Sequence, residues 1–274
     1  MSRPVALVTG ASSGIGEHTV LQLLGAGFEV WGAARRTERM APIADQGARV
    51  LAMDLTDDAS MVAGIEEILR ESGRIDVLVN NAGYGSFGAL EDVAIAEARQ
   101  QFEVNVFGLA RLIQLVLPTM RAARRGRIIN VSSIGGTIYE PLGSWYHATK
   151  FAVEGLSDSL RVELGSFGID VALIQPGPVR TEWNAIARAN LSASSDGTAY
   201  AKQAASVAKT LLRADQPGVG AEPTEVAAAI VKAATARRPR TRYPVGRGSA
   251  TLIRARRLLP DRLFDRLLSR AFLG

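Results

Sequence analysis

The chain has 274 residues, 47% hydrophobic and 22% charged, which excludes a disordered chain and suits one α/β domain. With 0 Cys and 2 His, disulfides, iron–sulfur clusters and thiol catalysis are excluded, and a histidine-rich metal site finds no support. The net charge of +5 is uneven: from Arg237 onward 11 Arg face two acids, Asp261 and Asp265, a net of +9 that leaves −4 for the rest.

The basic balance therefore belongs to the tail, which speaks against a general nucleic-acid binder. No apolar run reaches the ~18 residues that a spanning helix needs. The segment Val5-Ala6-Leu7-Val8-Thr9-Gly10 lacks the pattern of a secretion signal. The expectation is a soluble cytoplasmic protein.

Short aliphatic and β-branched runs alternate with helical stretches. Residues 4–9 read as a strand and 15–25 as the following helix. Strands follow at 28–34 and 49–53, a helix at 58–71, and a fourth strand at 76–80. A long helix over 97–120, a strand at 127–131, a helix over 145–165 and a strand at 170–174 continue the alternation. Pro223 opens another helix, where its missing N–H does no harm, and 242–245 reads as a final strand. Near-continuous apolar strands alternating with helices predict a doubly wound parallel sheet buried on both faces. Right-handed crossovers then put the ligand crevice at the carboxyl ends of the strands.

The first strand runs into Thr9-Gly10-Ala11-Ser12-Ser13-Gly14-Ile15-Gly16. Its glycines are spaced G-x-x-x-G-x-G rather than in the commoner G-x-G-x-x-G. The physical task is the same: a tight turn, close approach to a pyrophosphate, and a helix N-terminus that offers N–H groups and a positive dipole end. A plain glycine-rich turn is the competing reading. The second strand ends at Arg35 and Arg36, with no carboxylate until Glu38. An NAD site usually places an acid there, whereas a guanidinium grips a 2′-phosphate, so NADP is favoured over NAD.

Asn105, Ser133, Tyr146 and Lys150 fall after strands or on the helices beside them. Tyr146 and Lys150, four apart, share a helix face. A tyrosine hydroxyl ordinarily titrates near ~10. A neighbouring ammonium and an oxidised nicotinamide favour the phenolate, which makes Tyr146 a candidate general acid/base. Ser133 is placed to hydrogen-bond the substrate oxygen. His147 adjoins the tyrosine but projects about 100° away from it on a helix.

The combination resembles the short-chain dehydrogenase/reductase family. It is carried by the glycine loop, Asn80-Asn81-Ala82-Gly83, Asn105, Ser132-Ser133, Tyr146-x-x-x-Lys150 and Pro176-Gly177-Pro178-Val179-Arg180-Thr181. The resemblance implies a Rossmann-like single domain of seven strands over 1–246. It implies Tyr146 as acid/base and Ser133 as the substrate-positioning serine, with Ser132 the alternative. Lys150 would hold the nicotinamide ribose and lower the tyrosine pKa, and Asn105 would hold a relay water. Gly10, Ser12, Ser13, Gly14, Ile15 and Gly16 would form the phosphate loop. Asp54 and Leu55 would line the adenine site, Asn81, Ala82 and Gly83 would pack beside the cofactor, and Val179 and Thr181 would meet the carboxamide. Many NADP-using relatives place a basic residue inside the glycine loop where Ser13 stands, so the NADP reading rests on Arg35 with Arg36 in support.

The stretch 183–220 follows Thr181, where the resemblance places a substrate lid. Trp183, Ile186, Leu191 and Tyr200 either line an apolar pocket or pack the lid on the body. Tyr84, Phe87, Ile138, Tyr139 and Leu142 approach from the other side. An apolar wall suggests a lipophilic carbonyl or alcohol substrate, with a flavour of the hydroxysteroid and retinol dehydrogenase-like members. In the tail, 247–274, Leu263, Phe264, Leu267, Leu268 and Phe272 form an apolar helix face beside Arg262, Arg266 and Arg270. Packing on the body or on a neighbouring subunit is preferred over a membrane-surface contact. The resemblance implies that the long helices over 97–120 and 145–165 pair between subunits, giving a homodimer or homotetramer. The competing class is a cofactor-binding regulator without turnover, which the presence of all four chemistry-bearing residues opposes.

Overall fold

Alternation along the first strand decides the architecture. In the computed structural model, which describes residues 3–216 and 218–273, β1 (Val5–Thr9) is buried throughout. Val5 and Leu7 enter one apolar layer, Ala6 and Val8 the other. A strand with period-two side chains that are apolar on both faces needs helices on both.

The elements that supply them follow in order: α1 (Gly14–Gly25), β2 (Glu29–Ala34), a short 3-10 turn (Thr37–Met40), α2 (Ala41–Ala44), β3 (Arg49–Ala52), α3 (Asp58–Ser72) and β4 (Val77–Asn80). Then come α4 (Ile95–Phe102), a π-helical turn (Glu103–Gly108), α5 (Leu109–Ala122), β5 (Gly126–Val131), α6 (Ser144–Gly165) and β6 (Ile169–Pro176). The chain closes with α7 (Glu182–Ser195), α8 (Ala201–Arg213), α9 (Pro223–Thr235), β7 (Arg242–Val245), α10 (Ser249–Leu258) and α11 (Asp261–Phe272).

The seven strands pair in the order β3-β2-β1-β4-β5-β6-β7, all parallel. On one face Val20 and Leu23 of α1 and Val226, Ile230 and Ala233 of α9 cover Ala6, Val8, Val79 and Ile129. On the other, Ile65 and Ile68 of α3, Leu112, Ile113 and Val116 of α5, and Val153 and Leu164 of α6 cover Leu7, Leu78, Ile128 and Leu173. Successive connections run away from β1 in one direction and from β4 in the other. A crevice opens where the direction reverses.

The ends of these helices follow local chemistry. The Asp57 carboxylate caps α3 by accepting from the Ala59 N–H, and Gly73 ends the helix in the left-handed region at φ 73°. Glu222 and Glu225 form a capping box around Pro223 at the start of α9. Pro244 sits in β7, an edge strand, where its missing donor is tolerated. The helical stretch Ile95–Ala122 is long and apolar enough by composition to cross a membrane. Its apolar residues Leu112, Ile113, Val116 and Met120 are spent on the sheet instead.

The stretch 183–220 forms two helices rather than a loop, with Ala187, Leu191, Ala204 and Val207 buried between them and Phe87. The tail differs from the single helical face read from the sequence. It is two helices, α10 and α11, and the apolar face of α11 splits. Phe264 and Leu268 are buried with Ile138, while Leu263 and Leu267 stay 43% and 47% exposed. The Tyr139 hydroxyl donates to the Asp265 carboxylate at 2.7 Å, and Phe264 meets the Tyr139 ring edge-on at 5.7 Å. The Arg256 guanidinium lies 5.4 Å from both rings. The Phe264 and Leu268 side of α11 thus packs on the body, and the Leu263 and Leu267 side does not.

Phe264 is the largest buried side chain of α11, so Phe264→Ala is expected to release that helix locally while the sheet stays protected. Trypsin should then cut between Arg254 and Arg270 markedly faster than in the wild type, at unchanged amide exchange in β1 and β5. Equal cleavage rates would show that α11 is held by something else.

Candidate active site

A cavity of about 940 Å³ runs along the carboxyl ends of the strands. Its first wall is the glycine loop. Gly10 lies at φ +67°, and a Cβ at Gly16 would come 2.2 Å from the Gly10 carbonyl oxygen. Only a chain without these side chains lets α1 begin so close beneath the loop. Ser13, at the N-cap of α1, makes no side-chain cap bond. The first N–H groups of the helix are thus available to an anion in the crevice. Gly10, Ser12, Ser13, Gly14 and Ile15 line the cavity. Gly16 does not, and acts by allowing the close approach.

The loop after β4 is tied to this one. Thr9 Oγ1 accepts from the N–H groups of Asn81 and Ala82, both at 3.1 Å, and Asn81 Nδ2 donates to the Thr9 carbonyl at 2.9 Å. Asn81, Ala82 and Gly83 line the cavity between strand ends. Arg35 and Arg36, after β2, are exposed at its far end. Neither takes part in an ion pair among the described residues, whereas nearby Arg39 is committed to Glu182 at 2.6 Å. Asp54 and Leu55 line the same end, with the Asp54 carboxylate accepting from the Thr56 N–H and hydroxyl at 2.9 Å. Val179 and Thr181 close the opposite side. A glycine cradle, free helix N–H groups and two unpaired guanidiniums together fit a phosphorylated dinucleotide.

Ser133, Tyr146 and Lys150 meet midway along the cavity. Burial pushes the Tyr146 phenol up to about 12; a hydrogen bond with Ser133 works against this and the Glu140 carboxyl adds to it. Burial pushes the Lys150 ammonium down to about 8, opposed by Glu154. Lys150 Nζ donates to the Val131 carbonyl at 3.0 Å and lies 5.9 Å from the Tyr146 ring centre. The pull toward phenolate expected of the lysine is therefore not what governs the tyrosine here. Both groups are buried, and each is pushed toward its neutral form.

Asn105, which the resemblance makes the holder of a relay water, is buried and does not line the cavity. It sits in the π-helical turn, a device that recurs at functional sites. Its side chain is fully engaged: Oδ1 accepts from the Tyr84 N–H at 3.0 Å, and Nδ2 donates to the Tyr84 carbonyl at 2.8 Å and Thr149 Oγ1 at 3.1 Å. It holds the loop after β4 against α6. Ser132 also faces the cavity, but its buried hydroxyl has no partner among the described residues. Ser133, whose hydroxyl accepts from the Gly135 N–H at 3.0 Å, is the serine that acts to lower the Tyr146 pKa. His147 is structural: Nδ1 contacts the Gly135 carbonyl at 2.9 Å and Nε2 accepts from the Glu140 N–H at 3.0 Å.

The remaining wall is mostly apolar. Tyr84, Ile138, Trp183 and Ile186 line it, while Phe87, Leu142 and Leu191 are buried behind and Tyr200 packs beside them. The Trp183 ring lies 5.2 Å from that of Tyr146. Both readings of the 183–220 stretch thus hold for different residues. Sequence reasoning missed Leu252, Leu268 and Phe272, which the tail contributes to the cavity, and Glu140. The tail's apolar spacing was visible, but its target was not. For Glu140 the signal was a lone acid in the apolar run Ile138-Tyr139-Glu140-Pro141-Leu142.

The family model for short chain dehydrogenases matches residues 4–192. A 3-ketodihydrosphingosine reductase of Bacteroides thetaiotaomicron is 44% identical over 182 residues, 66% of each chain. The NADPH-dependent 3-dehydrocapnine reductase of Ornithobacterium rhinotracheale is 34% identical over 96% of this chain and 95% of its own. A solved short-chain dehydrogenase from Streptomyces avermitilis superposes with a TM-score of 0.82 at 34% identity, covering 97% of this chain and 95% of that one.

Burial of Lys150 has a measurable pH signature. Its folded pKa, about 8, lies below the ordinary lysine value of 10.5. The unfolded chain therefore holds the extra proton between those values, and stability gains with rising pH across that window. Lys150→Met is expected to melt higher than the wild type at pH 7, with the gap closing as pH climbs from 8 toward ~10.5. A gap independent of pH would mean that the ammonium is not destabilised by burial.

Proposed function

The chain belongs to the short-chain dehydrogenase family, and on that premise we propose that it is an NADP(H)-dependent oxidoreductase that interconverts a lipophilic carbonyl compound and its alcohol. The observation that carries this reading is the continuity of one cavity. It runs from two unpaired arginines and a glycine cradle, past Ser133, Tyr146 and Lys150, to an apolar wall. A dinucleotide and a lipophilic substrate have room to meet at the phenol.

When bound, the dinucleotide supplies the hydride for reduction or takes it up in oxidation. Gly10, Ser12, Ser13, Gly14 and Ile15 would hold its pyrophosphate, and Arg35 with Arg36 its 2′-phosphate. Asp54 and Leu55 would flank the adenine, Asn81 to Gly83 the ribose side, and Val179 and Thr181 the carboxamide. Lys150, held by the Val131 carbonyl, would bind the nicotinamide ribose. Tyr146, fully protonated at neutral pH, donates its proton to the carbonyl oxygen as negative charge develops there, and Ser133 donates a second hydrogen bond. With its amide engaged, Asn105 serves as a positioning residue.

NADP as cofactor draws support from the free guanidiniums and from a relative described as NADPH-dependent. A carbonyl substrate draws support from two relatives described as reductases, one of a 3-keto compound. A homo-oligomer draws support from Phe151 and Val162, 46% and 78% exposed, which share one face of α6.

A panel of ketones, aldehydes and secondary alcohols with both dinucleotides tests the reading. Tyr146→Phe is expected to lose turnover by roughly two orders of magnitude or more, with dinucleotide affinity nearly unchanged by calorimetry. Retained turnover would remove Tyr146 from the chemistry. Arg35→Asp should shift the NADP/NAD ratio of kcat/KM toward NAD by tenfold or more, on the order of one charge-assisted contact. An unchanged ratio would reassign the 2′-phosphate contact.

A further inference from the structure

Glu140 is an acid in the cavity wall, set in the apolar run Ile138-Tyr139-Glu140-Pro141-Leu142. Its side chain is 21% exposed, and it borders the cavity. Its nearest titratable neighbour is His147, with Oε1 3.8 Å from Nε2. That contact supplies no counter-charge. The Nδ1 contact to the Gly135 carbonyl requires the hydrogen on Nδ1, and Nε2 is occupied in accepting from the Glu140 N–H. Burial also lowers the His147 pKa. Among the described residues no lysine or arginine pairs with the Glu140 carboxyl, and no side chain donates to it. The other buried glutamate nearby, Glu154, is by contrast paired with Arg242 at 2.9 Å and accepts from Gln175 at 3.0 Å.

A carboxyl in a mostly apolar site without a cation or donor is costly. Desolvation alone lifts Glu140 to about 7. The carboxyl opens to the cavity without a protein cation beside it, so a cationic ligand there can pair with it. We propose that Glu140 is the specificity-determining residue of the substrate pocket and selects carbonyl substrates that carry an ammonium group close to the reacting carbon. This rests on the reductase reading above and narrows its substrate class to amino ketones with an apolar chain.

The cavity fits such a molecule in three parts. Ser133 and Tyr146 face the carbonyl oxygen, Glu140 faces the ammonium, and Trp183, Ile186, Leu268 and Phe272 face the chain. A substrate carboxylate or phosphate at the same place would meet a like charge. The arrangement also couples recognition to chemistry. The Glu140 charge makes the Tyr146 proton harder to release, and an ammonium beside Glu140 offsets that charge as the substrate seats.

Binding and turnover test this separately. Decylamine, decanol and decanoate are titrated into the protein with NADPH present and followed by calorimetry, since none of them carries a carbonyl to be reduced. The wild type is expected to bind decylamine at least tenfold more tightly than decanol, with decanoate weakest. In Glu140→Gln the amine-to-alcohol ratio should fall to near one. Equal wild-type affinities for amine and alcohol overturn the proposal whether or not the variant folds, as does a preference that survives in a folded Glu140→Gln.

Turnover of a long-chain α-amino ketone is then compared with that of the same ketone lacking the amine. Reduction of both without an amine preference rejects the role of Glu140 and leaves the reductase reading intact. No reduction of either, alongside selective amine binding, rejects the reductase reading and leaves the ammonium site standing.

Discussion

Two N–H groups and one hydroxyl hold this site together. Thr9 Oγ1, at the end of β1, accepts from Asn81 and Ala82 at the end of β4. These strands are neighbours only because the connections reverse direction between them. The reversal leaves their carboxyl ends uncovered by any crossover, and the threonine closes the gap beneath the crevice. The glycine loop turns above that clasp, α1 starts from it, and Asn81 reaches back to both loop carbonyls. Groups that approach the crevice from remote parts of the chain are measured from this floor.

Low dielectric is the second constraint. Tyr146, Lys150 and Glu140 lie within one poorly hydrated space, and each is pushed toward its uncharged form. A phenol that keeps its proton is suited to giving it to an oxygen acquiring charge, and a lysine poised near neutrality responds to whatever lies beside it. Such groups cost stability in isolation. Their arrangement makes sense as a site completed by its ligands, with the sheet supplying the rigidity that keeps them in place.

Much of this was legible in the residues. Both-faced apolarity in Val5-Ala6-Leu7-Val8 predicted the parallel sheet, and the spacing of Tyr146 and Lys150 put both on the wall. Other parts depended on distances that no local pattern carries. Burial, which no local pattern carries, lifts the tyrosine when no dinucleotide lies beside it, whereas the spacing of Tyr146 and Lys150 pointed only to the neighbouring ammonium. Asn105 gave no hint that Tyr84 and Thr149 would consume its amide. The leucines of α11 announced an apolar face but not that Ile138 and Tyr139 would receive part of it. Local physics wrote the elements; long-range packing chose which side chains reached the cavity.

The origin of Leu268 and Phe272 has a consequence of its own. Tyr146 and Lys150 sit on α6 and Ser133 just after β5, whereas part of the apolar lining comes from α11. Reaction and fit are thus encoded in separate stretches of sequence. Exchanges in α11 can retune which molecules enter without disturbing how they react, so substrate range in proteins built this way is free to drift while the chemistry stays fixed.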